Sequence, residues 1–284
     1  MRIMVTPSMV MAVAKASTGK RYSLRQFRAL FGVSPKITAM CWELMLTDSR
    51  TVQQEIQLDD LLKTLHFLKC YSTETQLASL FGITEKTFRV RYKPALIILA
   101  DLSVICWEKR KVPGNIGHKA KTSIDGTDCR INEQYPFDGK WFSHKFKGPG
   151  LRYEVAICIL TGEIVWVIGG FPCGEFPDLK IFREGLLGLL EKDEKVIADG
   201  GYKGQEGIWA KGHSDNSLSR HFEGVIRARH ESINSRLKSF FVLKNCFCHN
   251  LKVHSRCFYA CANLVQLVLK YEIPAFEVEY NEVL

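Results

Sequence analysis

The sequence predicts an α/β protein in which an all-α, helix-turn-helix-containing N-terminal region precedes a mixed sheet with flanking helices. Three observations carry this prediction. A helix–glycine–helix pattern occurs twice in the first hundred residues, segments rich in β-branched residues begin at residue 122, and helical patterns then alternate with these segments. We therefore expect four regions: a helical region over 1–107, a basic linker over 108–121, an α/β domain over 122–271 and an acidic tail over 272–284.

An internal repeat divides the N-terminal region. Residues 26–36 and 76–86 share the pattern L-F-G-[VI]-[ST]-x-K. In each copy the glycine can end one helix, and Ser34 or Thr84 can cap the next. The repeat therefore predicts two pairs of helices, each joined by a tight turn.

Basic residues follow the turn of the second copy. Lys86, Arg89 and Arg91 lie on its second helix, which is the layout of a helix-turn-helix whose second helix contacts DNA. An ordinary helical hairpin would show the same pattern. The first copy has fewer basic residues after its turn, so we expect it to serve as scaffold.

The net charge of +9 is unevenly distributed. Residues 1–121 carry 19 Lys/Arg against 9 Asp/Glu, a net of +10, whereas residues 122–284 carry 20 against 21, a net of −1. Lysines and arginines that neutralise phosphates displace counterions, so the first part favours nucleic acid as a partner. A solvated basic surface explains the charge equally well.

Cysteine usage and hydropathy bear on the compartment. The ten cysteines show no framework spacing, and several lie inside apolar runs, as expected for buried thiols in the nucleus or cytoplasm. Residues 109–111, Lys-Arg-Lys, are a weak nuclear import signal and favour the nucleus. Because no run of about 18 apolar residues occurs, we expect no membrane segment.

The second part of the chain carries the predicted strands and three helices. Strands are expected from Thr122, Tyr153, Glu163 and Lys195, because β-branched residues dominate there. Helices are expected over 178–194, 224–241 and 250–271.

Three acidic residues in this part point to metal chemistry. Asp125 and Asp199 each end a predicted strand and precede a glycine, while Glu231 shares a helix face with Arg227 and Lys238. Carboxylates are the ligands that Mg²⁺ and Mn²⁺ prefer, and two such ions about 4 Å apart could promote phosphodiester cleavage. Read one at a time, the aspartates could be turn residues and Glu231 a surface residue.

Two further groups are weaker candidates. Lys203 and Lys145 could contact phosphate, although each could equally be a solvated lysine. Cysteines and histidines, which are ligands that zinc accepts, also cluster near the end of the chain. Their spacing matches no paired zinc-knuckle pattern, so we expect the thiols to pack as small apolar groups and not to bind zinc. The cluster comprises Cys246, Cys248, His249, His254, Cys257 and Cys261.

The acidic motifs match a known family. Ile-Asp-Gly-Thr at 124–127, Ala-Asp-Gly-Gly-Tyr at 198–202 and Arg-His-Glu-Ser-Ile-Asn-Ser-Arg-Leu-Lys at 229–238 resemble the three acidic motifs of Harbinger-type DDE transposases. Residues 141–154 and 177–182 fit this family too. The resemblance extends over roughly 20–270 and is strongest over 122–250.

The resemblance implies an RNase H-like fold and divalent-metal cleavage and joining of DNA at transposon ends. It implies that Asp125, Asp199 and Glu231 are both the catalytic and the metal-binding residues. It also implies a Myb-like DNA-binding partner protein, and we expect a homo-oligomer. Asp128 stands where the family commonly has His, and residues 205–215 depart from the family pattern.

The sequence hypothesis is therefore a DNA-cutting recombinase. The DNA-binding residues we expect are Lys86, Arg89, Arg91, Lys203, Arg227 and Lys238. Two rivals are a domesticated derivative that binds DNA or protein without cutting, and a host nuclease that shares the site but not the substrate.

Overall fold

A computed structural model describes residues 4–136, 138–210 and 217–278, with only the backbone described for 217–220. It is an α/β protein whose chain divides into two compact units. Unit 1 comprises residues 1–104, 237–245 and 249–271, and unit 2 comprises residues 105–236, 246–248 and 272–284. The final long helix therefore belongs to unit 1, whereas the sequence analysis assigns it to the α/β domain.

Unit 1 is helical. Its helices are α1 (Pro7–Thr18), α2 (Leu24–Phe31), α3 (Pro35–Met45), α4 (Ser49–Gln53), α5 (Leu58–Cys70), α6 (Glu74–Leu80) and α7 (Glu85–Ala100), and later segments of the chain add α10 (Phe241–Lys244) and α11 (Leu251–Tyr271). Helix α5 is buried along most of its length and packs against α2, α7 and α10.

The repeated segments fold as the sequence predicts locally. Ser34 caps α3 by accepting the N–H of Ile37, and Thr84 caps α7 by accepting the N–H of Thr87. Gly32 has φ of +81°, and a Cβ there would overlap the ring of Phe240. A glycine is therefore required at this turn both for its backbone conformation and for space.

Unit 2 contains a six-stranded mixed sheet. Its strands are β1 (Ala120–Arg130), β2 (Phe142–Ser143), β3 (Gly148–Cys158), β4 (Ile164–Pro172), β5 (Lys195–Ala198) and β6 (Ile208–Ala210). Strand β3 pairs antiparallel with β1, β2 and β4, whereas β5 pairs parallel with both β1 and β6. Strand β1 therefore lies in the middle of the sheet.

Helices cover both faces of this sheet. Helix α8 (Asp178–Glu184) packs on one face through Phe182, which joins a core that includes Ile124 and Ala156. Helix α9 (Ser217–Lys238) packs on the other face through Phe222 and Ile226, which join Ile197. In the described part of the chain, no helix is both long and apolar enough to cross a bilayer.

Two predicted boundaries in unit 2 are wrong. Asp125 does not end a strand: β1 continues to Arg130, because its polar residues are buried by long-range partners. The helix predicted over 178–194 ends at Glu184, a short 3₁₀ helix follows over 186–189, and Glu194 is buried in an ion pair with Arg110.

The predicted linker and the described part of the predicted tail, residues 272–278, are packed segments. Within 108–121, Arg110 is 1% exposed and bonds Glu194 through two nitrogens, so it is not accessible as part of an import signal. In the tail, the carbonyl groups of Ile273 and Pro274 accept hydrogen bonds from Arg236, and Val278 is buried.

Candidate active site

The three predicted carboxylates lie around one cavity in unit 2. This cavity has a volume of about 440 Å³ and is lined by Asp125, Asp199 and Glu231. A strand, a loop and a helix supply them, so the fold brings together residues that are distant in sequence. The other lining residues are Ser123, Ile124, Ile197, Ala198, Gly200, Gly201, Glu223, Ile226, Arg227 and His230.

Asp125 is the half-buried acid of the three. It projects from the middle of β1, and its Oδ2 accepts a hydrogen bond from the side-chain amide of Asn234 at 3.0 Å. Burial raises the pKa of Asp125 to about 6, with a smaller lowering effect from Lys145 and raising effects from Asp199 and Asp178. A raised pKa caused by desolvation and neighbouring carboxylates is typical of a site that receives a cation or a proton.

Asp199 lies where β5 ends. The pairing of β5 with β1 reaches Ser123 and Ile197, two residues before each aspartate, so the parallel register carries both aspartates to the same place on the sheet. Asp199 Oδ1 accepts the N–H of Gly201 at 2.8 Å and thereby caps a short 3₁₀ helix. Asp199 can therefore be a turn residue and a candidate site residue at the same time.

Glu231 and Arg227 lie one turn apart on α9. Glu231 is exposed and Arg227 is half-buried, and both line the cavity. Glu223, one turn before Arg227, is a further acidic lining residue that the sequence analysis did not single out. The helix therefore presents alternating charge to the cavity.

Two polar residues fix α9 against β1. Nε2 of the buried His230 lies 2.8 Å from Oγ of Ser123, and Asn234 donates to Asp125. Burial lowers the pKa of His230 to about 4, so this imidazole is neutral near pH 7. Sequence reasoning missed both roles, although the alternation Ser123–Asp125 on β1 and the i, i+4 spacing 230–234 on α9 could have suggested them.

Asp128 is a structural residue. Its carboxylate accepts two hydrogen bonds from Arg152 and one from Ser143, and its side chain is 1% exposed. Burial would raise the pKa of Asp128, but the bonds from Arg152 and Ser143 outweigh it and lower the pKa. Asp128 is therefore not available as a substitute for Asp125.

Lys145 lies at the edge of the acidic group. Its Nζ donates to the carbonyl of Gly126 at 2.7 Å, and its charge opposes the raised pKa values of Asp125 and Asp178. Lys145 is an exposed residue, so it is also accessible to a ligand from solvent.

The predicted DNA-binding residues occupy separate places. Lys86, Arg89 and Arg91 are exposed on α7, where Arg89 pairs with Glu74 at 2.7 Å and Arg91 lies 3.8 Å from Asp60. Lys203 is exposed after the 3₁₀ helix that Asp199 caps, and Lys238 ends α9 within unit 1.

Among the described residues, no group of three or more His, Cys, Asp or Glu side chains is arranged so that it could hold a metal ion. Of the late cysteine and histidine set, His254, Cys257 and Cys261 are fully buried within α11. Cys246 and Cys248 are exposed, and both thiols approach Oδ1 of Asn132.

Comparison of the chain with family models, with curated proteins and with solved structures returns no match. The resemblance to Harbinger-type transposases therefore stays a prediction made on the motifs alone.

Proposed function

We propose that this chain is a divalent-metal-dependent DNA nuclease of the transposase type, with Asp125, Asp199 and Glu231 as its acidic triad. The observation that carries the proposal is that these three carboxylates line a single cavity. RNase H-like topology for unit 2 is part of the proposal. It is supported by the central position of β1 between antiparallel β3 and parallel β5, and by the placement of the third acid on a helix that covers this sheet.

The donor set fits Mg²⁺ or Mn²⁺. Both ions take hard oxygen ligands, and the cavity offers carboxylate oxygens with no thiolate among its lining residues. Asp125, Asp199 and Glu231 would hold the ion once their side chains move together around it. When bound, a divalent cation supplies Lewis-acid activation and charge stabilisation for in-line attack on a phosphodiester.

The surrounding residues have distinct tasks in this reaction. Asn234 orients the Asp125 carboxylate, and the His230–Ser123 contact holds α9 at the distance that Glu231 needs. Arg227 lines the cavity and would contact a non-bridging phosphate oxygen, because a guanidinium matches phosphate geometry. Each of these side chains would be positioned before DNA binds, which lowers the reorganisation cost of the reaction.

Binding of the DNA backbone is assigned to unit 1. Helix α7 exposes Lys86, Arg89 and Arg91 after the turn of the second repeat, which supports its use as the second helix of a helix-turn-helix. Helix α3, its counterpart in the first repeat, is largely buried and would act as scaffold. A Myb-like partner protein and self-association remain part of the proposal through the family resemblance.

Plasmid nicking tests the proposal. The protein is expected to nick supercoiled DNA when Mg²⁺ or Mn²⁺ is present and to stop when the metal is chelated. Asp199→Ala should abolish nicking while DNA binding survives. Glu206→Ala is the matched control, because this exposed carboxylate lies outside the cavity. An Asp199→Ala protein that nicks as well as the wild type would refute the assignment.

Strand joining separates the nuclease readings. An oligonucleotide that carries the inverted-repeat end of the element should be joined to target DNA by a transposase, whereas a host nuclease would cut without joining. Metal-independent DNA binding without any cleavage would instead favour a non-catalytic derivative.

A further inference from the structure

Helix α7 divides into two halves that differ in exposure. Over residues 95–100 every residue except Ile97 is buried. Over residues 85–93 only Phe88 and Tyr92 are buried, and their rings contact each other. The first half of α7 therefore presents most of its surface to solvent, while the second half anchors the helix in unit 1.

A short turn that contains a glycine joins this exposed half to α6. Helix α6 ends at Leu80 and α7 begins at Glu85, and Gly82 in the connection between them has φ of +63°. Helix pairs that bind DNA are commonly joined by turns of this length, often with a glycine, and the first residues of the second helix contact base edges. The exposed residues in the first two turns of α7 are therefore the ones to examine for contact with bases.

One stripe of this surface has an apolar residue between two lysines. Lys86, Val90 and Lys93 are spaced four and three residues apart, so they share one face of the helix. All three are exposed, and Val90 is 63% exposed. The rise of a regular helix places the two lysines about 10 Å apart along its axis, which is close to the ~12 Å width of the major groove of DNA. The stripe therefore has the length and the charge to lie in that groove.

The two arginines of α7 are held by acidic residues of unit 1. Arg89 pairs with Glu74 at 2.7 Å, and Arg91 lies 3.8 Å from Asp60. These carboxylates offset the charges of the arginines, so the lysines on either side of Val90 carry the positive charge that the stripe offers to phosphate. Valine has no hydrogen-bonding group in its side chain, so Val90 can contact only an apolar part of a ligand.

The major groove offers one apolar substituent to such a side chain. Base pairs that contain thymine expose its 5-methyl group there, among hydrogen-bond donors and acceptors. Lysines bind phosphate without regard to sequence, so an apolar contact beside them would add a preference for thymine. A protein partner fits the stripe less well, because charged residues are depleted at the centre of protein interfaces and lysines flank this valine.

We propose that Val90 recognises thymine. Its methyl groups pack against the 5-methyl group of a thymine in the major groove, while Lys86 and Lys93 bind the phosphates on either side. This inference rests on the proposed function, since it gives a sequence preference to the helix that is assigned to bind the DNA backbone. The sites that the protein binds should therefore contain A·T pairs at the position that Val90 contacts.

Replacement of thymine by uracil tests the role of the methyl group. Binding of the full chain is compared, with chelator present, to two short duplexes of equal length, one alternating dA with dT and the other dA with dU. Fluorescence anisotropy should show that the wild type binds the thymine duplex about fourfold more tightly, as expected for burial of one methyl group. Val90→Ala should bind both duplexes alike.

Two further variants separate base contact from phosphate contact. Lys86→Ala should weaken binding to both duplexes by the same factor, because a phosphate contact does not depend on the base. Val52→Ala is the matched control, since Val52 is 73% exposed and lies on α4, outside the stripe. It should keep the wild-type preference for thymine. Circular dichroism should show unchanged folding for each variant, because all three side chains are exposed.

The outcomes separate this inference from the proposed function. Equal binding of the wild type to both duplexes, or a thymine preference that persists in Val90→Ala, would overturn the role of Val90 and leave the nuclease proposal intact. If Val90→Ala dissociates a homo-oligomer and keeps the thymine preference, the stripe is an interface between copies of the chain and the inference is wrong. If the wild type binds neither duplex, DNA binding by α7 fails together with this inference, while plasmid nicking still tests the acidic triad.

Discussion

The charges of the unit 2 site and those of α7 in unit 1 differ in exposure. Glu154 is fully buried and Asp125 is half-buried, whereas Lys86 and Arg89 are exposed. A buried carboxylate has lost its hydration and needs a specific partner, whereas an exposed lysine exchanges water for any phosphate at little cost. Chemistry and backbone binding are therefore expected to respond very differently to single substitutions.

Lys145 provides the most direct test of this comparison, because it is an exposed residue and yet its charge acts on the carboxylates of Asp125 and Asp178. Lys145→Met should lower the nicking rate about a hundredfold, the size typical for loss of one charge-stabilising donor. The same substitution should strengthen Mn²⁺ binding, since it removes a competing positive charge near Asp125 and Asp178. Single-turnover nicking and Mn²⁺ titration measure the two effects.

A matched control exists on the same loop. Lys147→Arg keeps the charge at an exposed position with φ of +51° and should change neither quantity. Loss of Mn²⁺ binding in Lys145→Met would indicate a structural role and contradict this prediction.

Glu154 provides the corresponding test for a buried charge. Burial raises the pKa of Glu154 to about 8 from its ordinary value of 4.5. The folded state therefore retains a proton that the unfolded state releases, and stability should fall as the pH rises from about 4.5 to 8. Glu154→Gln removes this penalty and should raise the free energy of unfolding by up to about 4 kcal/mol more at pH 8.5 than at pH 5, because each pH unit of the shift corresponds to about 1.4 kcal/mol.

Chemical denaturation at the two pH values, with chelator present, checks this expectation. Equal stabilisation at both pH values would show that the titration of Glu154 is not the cause.

Metal binding at the proposed site should also respond to pH. The pKa of Asp125 is about 6, so protons compete with the cation below that value and Asp125 is ionised above it. Mn²⁺ affinity should therefore fall by up to about tenfold per pH unit below pH 6 and level off above about pH 7. Titrations between pH 5 and pH 8 measure the profile, and a flat profile would remove Asp125 from the ligand set.

The smallest effect is expected for the exposed cations of α7. Lys86→Ala should weaken DNA binding about threefold and reduce the salt slope by about 1. The repeat offers a matched control: Lys36 occupies the same place in the first copy, but its Nζ already donates to the carbonyl of Tyr271. Fluorescence anisotropy at several salt concentrations should detect weaker DNA binding for Lys86→Ala and unchanged binding for Lys36→Ala. If both variants bind DNA equally well, the prediction that only the second copy contacts DNA is wrong.

Local features of the fold could be read from the sequence. The caps at Ser34 and Thr84 and the turn at Gly32 depend on neighbours within a few residues, so their patterns identify them directly. The position of Asp199 after β5 was predictable for the same reason.

The structural features that could not be predicted from the sequence depend on contacts between residues that are far apart in the chain. Strand β1 continues past Asp125 because Arg152 and Ser143 satisfy Asp128 inside the protein, and no local pattern contains that information. The apolar periodicity after Asp178 continues beyond Gly185, which hid the end of α8. The contact between Asp178 and Gly126 depends on a helix meeting a strand, so neither segment alone could predict it.

The segment after residue 271 shapes how α9 is held. Arg229 donates to the carbonyl groups of Ile159 and Phe276, and Arg236 donates to those of Ile273 and Pro274. Glu231 lies between these two arginines, so residues 273–276, which carry no motif, act as a brace for the helix that supplies the proposed third acid. A truncated form that stops before Ile273 would keep every side chain of the proposed triad and still lose the brace that aligns one of them.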